Sequence, residues 1–200
     1  MASFDVAQNR LRQARPERRV ASTPERGTPM RLTVNGEAVE RDVPREALLL
    51  HLLRNDLCLN GPKYGCGLGQ CGACMVLIDG AAARACVIPA HGVAGRSITT
   101  LEGLGSASRP HPVQQAFIDC QAAQCGYCLN GMIVATVALL ARNPAPSDDD
   151  ARAALSHNLC RCGTHVEILQ AVQRAALLMA AVAAKTTQSS AMPGAVAASV

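Results

Sequence analysis

Ten cysteines in a chain of 200 residues are the side chains best suited to do chemistry. Four of them follow the spacing C-x4-C-x2-C, then eleven residues, then a fourth cysteine: Cys66, Cys71, Cys74 and Cys86. This is the spacing of the thiolates that hold a plant-type [2Fe–2S] cluster. Glycines alternate with these cysteines, and they allow a backbone to wrap closely and to direct its N–H groups at sulfur. The first set therefore predicts an iron–sulfur site.

A second set consists of two cysteine pairs, which are separated by thirty-one residues: Cys125-x2-Cys128 and Cys160-x-Cys162. Each pair lies directly before a predicted helix, so two positive helix N-termini would face one negatively charged cluster. The residues between the pairs are enough for an antiparallel pair of helices, which would return the second pair to the first. This set predicts a second [2Fe–2S] site.

Two other uses of the cysteines compete with this interpretation. Paired cysteines also form zinc sites, but C-x4-C-x2-C with interleaved glycines is typical of a cluster loop. Disulfides are the second alternative, but they are rare in cytosolic proteins. The two remaining cysteines, Cys58 and Cys120, lie in apolar or helical contexts, and we interpret them as small buried hydrophobic side chains.

The elements around the first set predict a small α+β domain of the β-grasp type over residues 30–105. Asn35-Gly36 is a strong hairpin signal between two alternating segments, and Met75 begins a buried strand after the cysteine loop. The predicted strands and helix, in chain order, are 31–34, 37–43, helix 45–56, 75–79, 84–88 and 97–100.

The elements around the second set predict a C-terminal four-helix bundle over residues 106–184, after a Gly/Ser/Pro linker at 103–111. Ser147 before three aspartates is a strong N-cap, and Thr164 with Glu167 forms a capping-box pattern. The predicted helices are 112–121, 129–142, 147–157 and 164–183. Residues 1–29 are predicted to be a disordered basic tail and 185–200 a flexible tail.

Charge and hydropathy exclude several functions. The net charge is +4, and six arginines against three acidic residues place +3 of it in residues 1–30. The folded part is nearly neutral and has few aromatic side chains, which argues against nucleic-acid binding.

The longest apolar stretch, Ala175–Ala184, has ten residues, whereas a membrane span needs about 20. Arg18-Arg19 is a twin arginine, but no apolar segment follows it, so we do not interpret it as an export signal. We expect a cytoplasmic protein that is not an integral membrane protein.

Three segments of the sequence resemble a known family, the small iron–sulfur subunits of xanthine dehydrogenases and aldehyde oxidases, which are molybdenum hydroxylases. The segments are Lys63-Tyr-Gly-Cys66-Gly-Leu-Gly-Gln-Cys71-Gly-Ala-Cys74, Gln124-Cys125-Gly-Tyr-Cys128 and Leu159-Cys160-Arg-Cys162. The resemblance covers about Met30 to Ala183. It implies a ferredoxin-like first domain, a four-helix second domain and a large partner subunit that binds a molybdopterin, often as its cytosine dinucleotide. It also implies that the second cluster lies beside the pterin, with Gln124 and the surroundings of Cys162 in contact with it.

Two departures from the family pattern narrow the resemblance. The family usually has Thr-Pro-Gly after the first cysteine pair, where this chain has Leu129-Asn130-Gly131. It usually has Thr-Gly-Tyr after the second pair, where this chain has Gly163-Thr164-His165. The latter form is similar to a branch that hydroxylates N-heterocycles such as nicotinate or isoquinoline, or oxidises aldehydes. That branch often passes electrons to a cytochrome c rather than to a flavin subunit. We interpret His165 as a structural residue that begins a helix.

The function predicted from these observations is electron transfer within an oxidoreductase complex. Electrons would leave the large subunit's molybdopterin centre, enter the second cluster, pass to the first and exit to an external acceptor. Five scattered histidines form no recognisable catalytic motif, so we expect no catalytic residue or substrate site on this chain. The alternatives are a free-standing two-cluster ferredoxin and a zinc-stabilised adaptor.

Overall fold

The computed structural model of the protein describes residues 27–190. The predicted basic tail falls almost entirely on residues 1–26, and the predicted C-terminal tail partly on residues 191–200, so both lie largely outside the described residues. The described chain forms an α+β protein. A five-stranded mixed sheet comes first, and four helices of eight or more residues follow it.

The sheet has the strand order β2-β1-β5-β3-β4. The central strand β5 runs parallel to β1, and the other neighbouring strands run antiparallel. The two hairpins therefore lie on the two sides of the sheet and are joined through β5. The strands are β1 Thr28–Val34, β2 Glu37–Val43, β3 Met75–Ile78, β4 Ala81–Arg84 and β5 Ser97–Thr99.

Both hairpins turn through two residues with positive φ. Asn35 and Gly36 have φ values of 52° and 86°, and Asp79 and Gly80 have 48° and 82°. Such turns match the twist of the flanking strands, and they favour Asn-Gly and Asp-Gly. The first turn pairs Val34 with Glu37, which confirms the hairpin expected from the sequence.

Three predicted elements begin three or four residues from their expected starts. The strand expected from Arg31 is β1, which begins at Thr28, inside the predicted tail, because Thr28 pairs with Val43. The helix expected from Arg45 begins as α1, Leu49–His51, and continues as a π-helical turn, Leu52–Asp56. Leu48 is extended and forms a β-bridge with Pro89, so the chain is held outside a helix until Leu49. The strand expected at 84–88 is β4, Ala81–Arg84, because the two-residue turn at Asp79-Gly80 pairs Met75 with Arg84.

The helical part begins with a short helix inside the predicted linker, α2 Leu101–Leu104. The four longer helices follow as α3 Pro112–Asp119, α4 Leu129–Arg142, α5 Asp148–Leu155 and α6 His165–Ser190. Capping boxes begin α3, where His111 pairs with Gln114, and α5, where Ser147 pairs with Asp150. Helix α6 extends beyond the predicted domain end at residue 184.

Strand β3 joins the two parts of the molecule, since all four of its residues are buried. Val76 and Ile78 face the core of the sheet domain beneath α1. Met75 and Leu77 face the opposite way and pack against Val134 and the alanines of α4. A strand covered on both faces explains its unbroken apolar sequence. It also ties the sheet domain to the helix that follows Cys128.

Helix α6 contains the segment His165–Lys185, which is long and apolar enough to cross a membrane. Its most apolar stretch of 18 residues has a mean hydropathy of 1.5, and 22% of that stretch is buried. This segment is longer than the ten-residue stretch on which the expectation of no span rested. Ile168, Ala171 and Ala175 lie in the core of the helical domain, so packing accounts for part of its apolar character. The expectation of a non-membrane protein stays a prediction.

Candidate iron–sulfur centres

The loop before β3 directs backbone amides at the sulfur of Cys66. The N–H groups of Leu68, Gln70 and Cys71 donate to Cys66 Sγ at 3.3, 3.3 and 3.4 Å. Amide hydrogen bonds stabilise a thiolate, and those from Leu68 and Gln70 contribute most to lowering the pKa of Cys66 to about 6. Cys66 therefore ionises readily, and the thiolate is the form of cysteine that binds metal.

The other three cysteines of this set lie next to Cys66 or to one another. The Cys66 N–H donates to Cys71 Sγ at 3.3 Å. Cys86 and Cys71 lie close enough to Cys74 to contribute to its pKa. Burial raises the pKa of Cys74 to about 12. The structure thus brings together all four cysteines that the first spacing singled out.

Glycine at position 65 is required by the closeness of this loop. A side chain at Gly65 would place its Cβ 2.5 Å from Cys71 Sγ. Since real Cβ atoms do not approach a sulfur so closely, any other residue here would displace the Cys71 thiol. The glycine-rich spacing is thus a consequence of the tight wrap around the sulfurs.

The second set also closes into one group. The thiols of Cys125 and Cys162 lie close enough to shift each other's pKa, and so do the thiols of Cys128 and Cys160. The hydroxyl of Thr164 lies 3.6 Å from Cys160 Sγ. Burial opposes ionisation of Cys160, but hydrogen bonds from Thr164 and Gly163 outweigh it and lower its pKa to about 6.

The remaining thiols of the second set differ in exposure and therefore in acidity. Burial and the neighbouring Cys160 thiol raise the pKa of Cys128 to about 12. The amide of Tyr127 and the thiol of Cys162 lower the pKa of the exposed Cys125. Each set thus has a thiol that ionises readily and one that burial keeps protonated. A bound metal removes that proton, since a coordinating thiol is deprotonated outright.

Both helices expected next to the second set begin within one residue of their predicted starts. Helix α4 begins at Leu129, directly after Cys128, and α6 begins at His165, three residues after Cys162. Gly126 and Gly163 have φ values of 78° and 83°, so the chain turns sharply before each helix. The cysteines consequently lie at two positive helix ends.

The two cysteine sets face each other across a small cavity of about 200 Å³, which both sets line. The N–H of Leu159 donates to the backbone oxygen of Cys71 at 3.0 Å, and this bond joins a residue next to Cys160 to a cysteine of the first set. The hydroxyl of Tyr127 donates to the backbone oxygen of Tyr64. Short bridges of this kind place the two sites side by side.

The chemistry of the two donor sets fits iron–sulfur clusters. Each set offers four soft thiol ligands, the kind that Fe–S clusters take, and amides are directed at sulfur. Within the described residues, no group of three or more His, Cys, Asp or Glu side chains is arranged to hold a single metal ion. A binuclear cluster spreads its four thiolates over two irons rather than gathering them on one centre.

The structure places the other singled-out residues as follows. Gln124, the predicted pterin contact, is exposed beside the exposed Cys125, and Cys162 is half-buried. The expectation for Cys58 is wrong, because this side chain is exposed in the irregular segment after the π-helical turn, where its φ is 54°. Cys120 is half-buried and packs against the core of the helical domain.

Sequence reasoning missed the residues that join the two sites. Asn130 and Asn158 are buried, with 2% and 5% of their surfaces exposed, and both lie between the cysteine sets. For Asn130 a signal existed, since it is an amide within an otherwise apolar helix start and stands where the resembling family usually has proline. For Asn158 the sequence carried no signal that we can identify.

Comparison with known families agrees with this geometry. Residues 32–91 match the 2Fe-2S iron-sulfur cluster binding domain, and residues 100–173 match the [2Fe-2S] binding domain. The first match contains the first cysteine set and the second contains the other. The fold and the sites therefore define an iron–sulfur protein with two [2Fe–2S]-binding domains in series.

Individual relatives narrow the class to a family. The chain is 70% identical over 149 residues to one of the subunits of the nicotinate dehydrogenase of Pseudomonas putida, a match that covers 74% of this chain and 95% of that protein. It is 49% identical over 144 residues to the alpha subunit of the isoquinoline 1-oxidoreductase of Brevundimonas diminuta, with coverages of 72% and 94%. The chain belongs to the small iron–sulfur subunits of the xanthine dehydrogenase and aldehyde oxidase family, and it is the iron–sulfur subunit of an oxidoreductase complex.

A solved structure supports the same fold. The aldehyde oxidoreductase of Desulfovibrio desulfuricans superposes with a TM-score of 0.74 at 45% identity. The superposition covers 76% of this chain but only 17% of that much longer one.

Proposed function

We propose that this chain carries electrons from a molybdopterin centre on a large partner subunit to an external acceptor, through two [2Fe–2S] clusters. The ligands of the first cluster are Cys66, Cys71, Cys74 and Cys86, and those of the second are Cys125, Cys128, Cys160 and Cys162. The observation that carries the proposal is the cavity that both sets line, bridged by the Leu159–Cys71 hydrogen bond. Two redox sites this close suit a relay.

The chain's own residues hold and tune the two sites. When bound, the clusters supply centres that accept and release one electron at a time. The amides of Leu68, Gln70 and Cys71 stabilise negative charge on Cys66. Hydrogen bonds of this kind tune the reduction potential of a bound cluster. Thr164 and the N-terminus of α6 do the same for Cys160.

The relatives support an N-heterocycle as the substrate of the assembled enzyme, with aldehydes as the second candidate. Two are named for nicotinate and isoquinoline, and a third relative, at 41% identity, belongs to an aldehyde oxidoreductase of Escherichia coli. We assign the substrate to the large subunit, whose pterin, in its cytosine dinucleotide form, contacts this chain at the exposed Gln124 and the surroundings of the half-buried Cys162. This chain contributes no substrate site.

The acceptor is proposed to dock at the first site. Tyr64, Leu68 and Val87 are apolar side chains near this set with 53%, 68% and 48% of their surfaces exposed. Exposed apolar side chains that lie together mark interaction sites. The acceptor is a cytochrome c or a flavin subunit, and the complex is proposed to act in the cytoplasm.

A metal analysis of the complex, purified through a tag on this chain from its own cells, tests the proposal. We expect about four irons per chain, as two [2Fe–2S] centres require, together with molybdenum and a large co-purifying chain. Iron without molybdenum or a partner would support the free-standing ferredoxin instead. Zinc without iron would support the adaptor and contradict both redox functions.

Reduction of the purified complex tests the substrate. We expect nicotinate or a related N-heterocycle to bleach the visible absorption of the clusters without added reductant. Bleaching by aldehydes alone would replace the proposed substrate class and leave the electron-transfer role intact.

A further inference from the structure

We propose that Asn130 is a positioning residue that sets the separation and relative orientation of the two iron–sulfur sites. The inference rests on the proposed function, since it assumes that both cysteine sets hold clusters. It concerns a residue outside both ligand sets. Its basis is the contact that this side chain makes across the boundary between the two domains.

The amide of Asn130 holds the backbone on both sides of Cys74. Its Nδ2 donates to the backbone oxygens of Ala73 and Met75, both at 2.9 Å. Asn130 itself lies two residues after Cys128, at the start of α4. One buried side chain therefore connects the chain around a cysteine of the first set to the chain that carries a cysteine of the second.

The backbones of the two domains also touch at this point. A Cβ at Gly131 would overlap the backbone oxygen of Gly72 and would lie 2.8 Å from Asn158 Nδ2. Gly72 lies between Cys71 and Cys74 and has a φ of 77°. Asn158 is packed over Gly72, and neither of its amide atoms has a hydrogen-bond partner in the described structure. Among these close contacts of Asn130, Gly131 and Asn158, the hydrogen bonds are the two that the Asn130 amide donates.

Directional bonds matter at this point because the packing of β3 on α4 around Asn130 is apolar. The Leu159–Cys71 and Tyr127–Tyr64 hydrogen bonds also cross the boundary, but they do so beside the cavity. The packing of Met75 and Leu77 on α4 excludes water but tolerates small shifts along the helix. Two hydrogen bonds to fixed carbonyl groups do not tolerate such shifts, because their strength falls steeply with distance and angle. Proline, the usual residue of the resembling family at this position, has no side-chain donor. Asn130 therefore adds a constraint specific to chains with this residue.

The magnetic interaction between the two clusters tests this role. In the dithionite-reduced complex each cluster carries an unpaired spin, and the splitting of their EPR lines depends on the distance and orientation between them. We expect the unaltered complex to show a resolved splitting at low temperature. We expect Asn130→Ala and Asn130→Pro to lose it into a broad distribution, with the iron content unchanged. Proline is accepted in a first helical turn, so the second variant retains the helix start.

Asn143→Ala is the matched control, because it removes an asparagine amide from the opposite end of the same helix. Asn143 donates to Asp150 and caps the turn that follows α4, away from both cysteine sets. We expect this variant to retain the splitting. Unchanged splitting in both Asn130 variants would overturn the inference alone. A complex without iron would overturn the proposed function and the inference with it.

Discussion

At the scale of single residues, the cysteines differ in what their surroundings do to the sulfur. Amides hold Cys66 as a thiolate, whereas burial keeps Cys74 and Cys128 protonated until metal arrives. Cys58 is exposed, and its sulfur lies 3.9 Å from the backbone oxygen of Asn55. All four are cysteines, so the environment of each sulfur alone accounts for these differences.

Serine substitution at one cysteine of the first set distinguishes the two sites. We expect Cys86→Ser to lower the iron content from about four to about two per chain, because a hydroxyl replaces a soft thiolate ligand. One of the two EPR species should disappear. Cys58→Ser is the matched control and should leave both signals in place. Equal losses in the two variants would contradict the assignment of Cys86 as a ligand.

At the scale of elements, the start of helix α3 has an unusual cap. Helix α3 packs against α6 and begins at a histidine cap: His111 Nδ1 accepts from the N–H of Val113 at 3.2 Å. Gln114 completes the box by accepting from the His111 N–H at 2.9 Å. An imidazole can accept at Nδ1 only while that nitrogen carries no proton, so this cap depends on pH.

The His111 cap predicts a stability that falls in acid. Burial lowers the pKa of His111 below its usual value of 6.5. The stabilisation is therefore complete above pH 6.5 and is lost as the pH falls through the lowered pKa. We expect the free energy of unfolding of the wild type to fall by about 1 kcal/mol relative to His111→Asn, whose oxygen caps at every pH. Urea titrations between pH 5 and 8 measure the difference, and parallel curves would contradict it.

The contact of Gly131 with Gly72 predicts a second effect at this scale. We expect Gly131→Ala to destabilise the protein by about 1–3 kcal/mol, because the added methyl group overlaps the Gly72 backbone, which cannot move without displacing the cysteine loop. Gly92→Ala is the control, since a Cβ there meets nothing within 4 Å. Urea unfolding measures both. A Gly131 variant as stable as the control would refute the close approach of the two domains.

At the scale of the whole molecule, the two sites lie at the contact between the domains, and each has an exposed side. The first set is bordered by exposed Tyr64, Leu68 and Val87. The second set is bordered by exposed Gln124, and its own Cys125 is exposed. This arrangement suits a relay with one partner at each end, and the two ends can be tested separately.

A charge at the first exposed side should impair the acceptor without impairing the clusters. We expect Leu68→Asp to slow reduction of the natural acceptor at least about tenfold, as for a central interface residue, while reduction of a small dye is unchanged. Leu177→Asp, on α6, alters a leucine with a nearly equal exposed fraction, 67% against 68%, and should have no effect on acceptor reduction. Steady-state rates with both acceptors decide. Equal effects of the two variants would place the acceptor elsewhere.

Much of the fold and most of the candidate ligand set followed from local signals. The cysteine spacing, the Asn35-Gly36 turn and the helix starts after Cys128 and Cys162 each depend on a few neighbouring residues. Such signals act over short distances, because turn geometry, helix capping and cluster ligation are local chemistry. The two-domain order and the separation of the sets along the chain were therefore readable without coordinates.

Only the tertiary structure decided how the two sites meet. The start of α1 at Leu49 depends on a bridge to Pro89, and the exposure of Cys58 depends on the turn that α1 leads into. The Asn130 bonds to Ala73 and Met75 join residues more than fifty positions apart. No local pattern encodes such contacts, because they form only when β3 packs against α4 and brings the buried amide to the backbone oxygens on either side of Cys74.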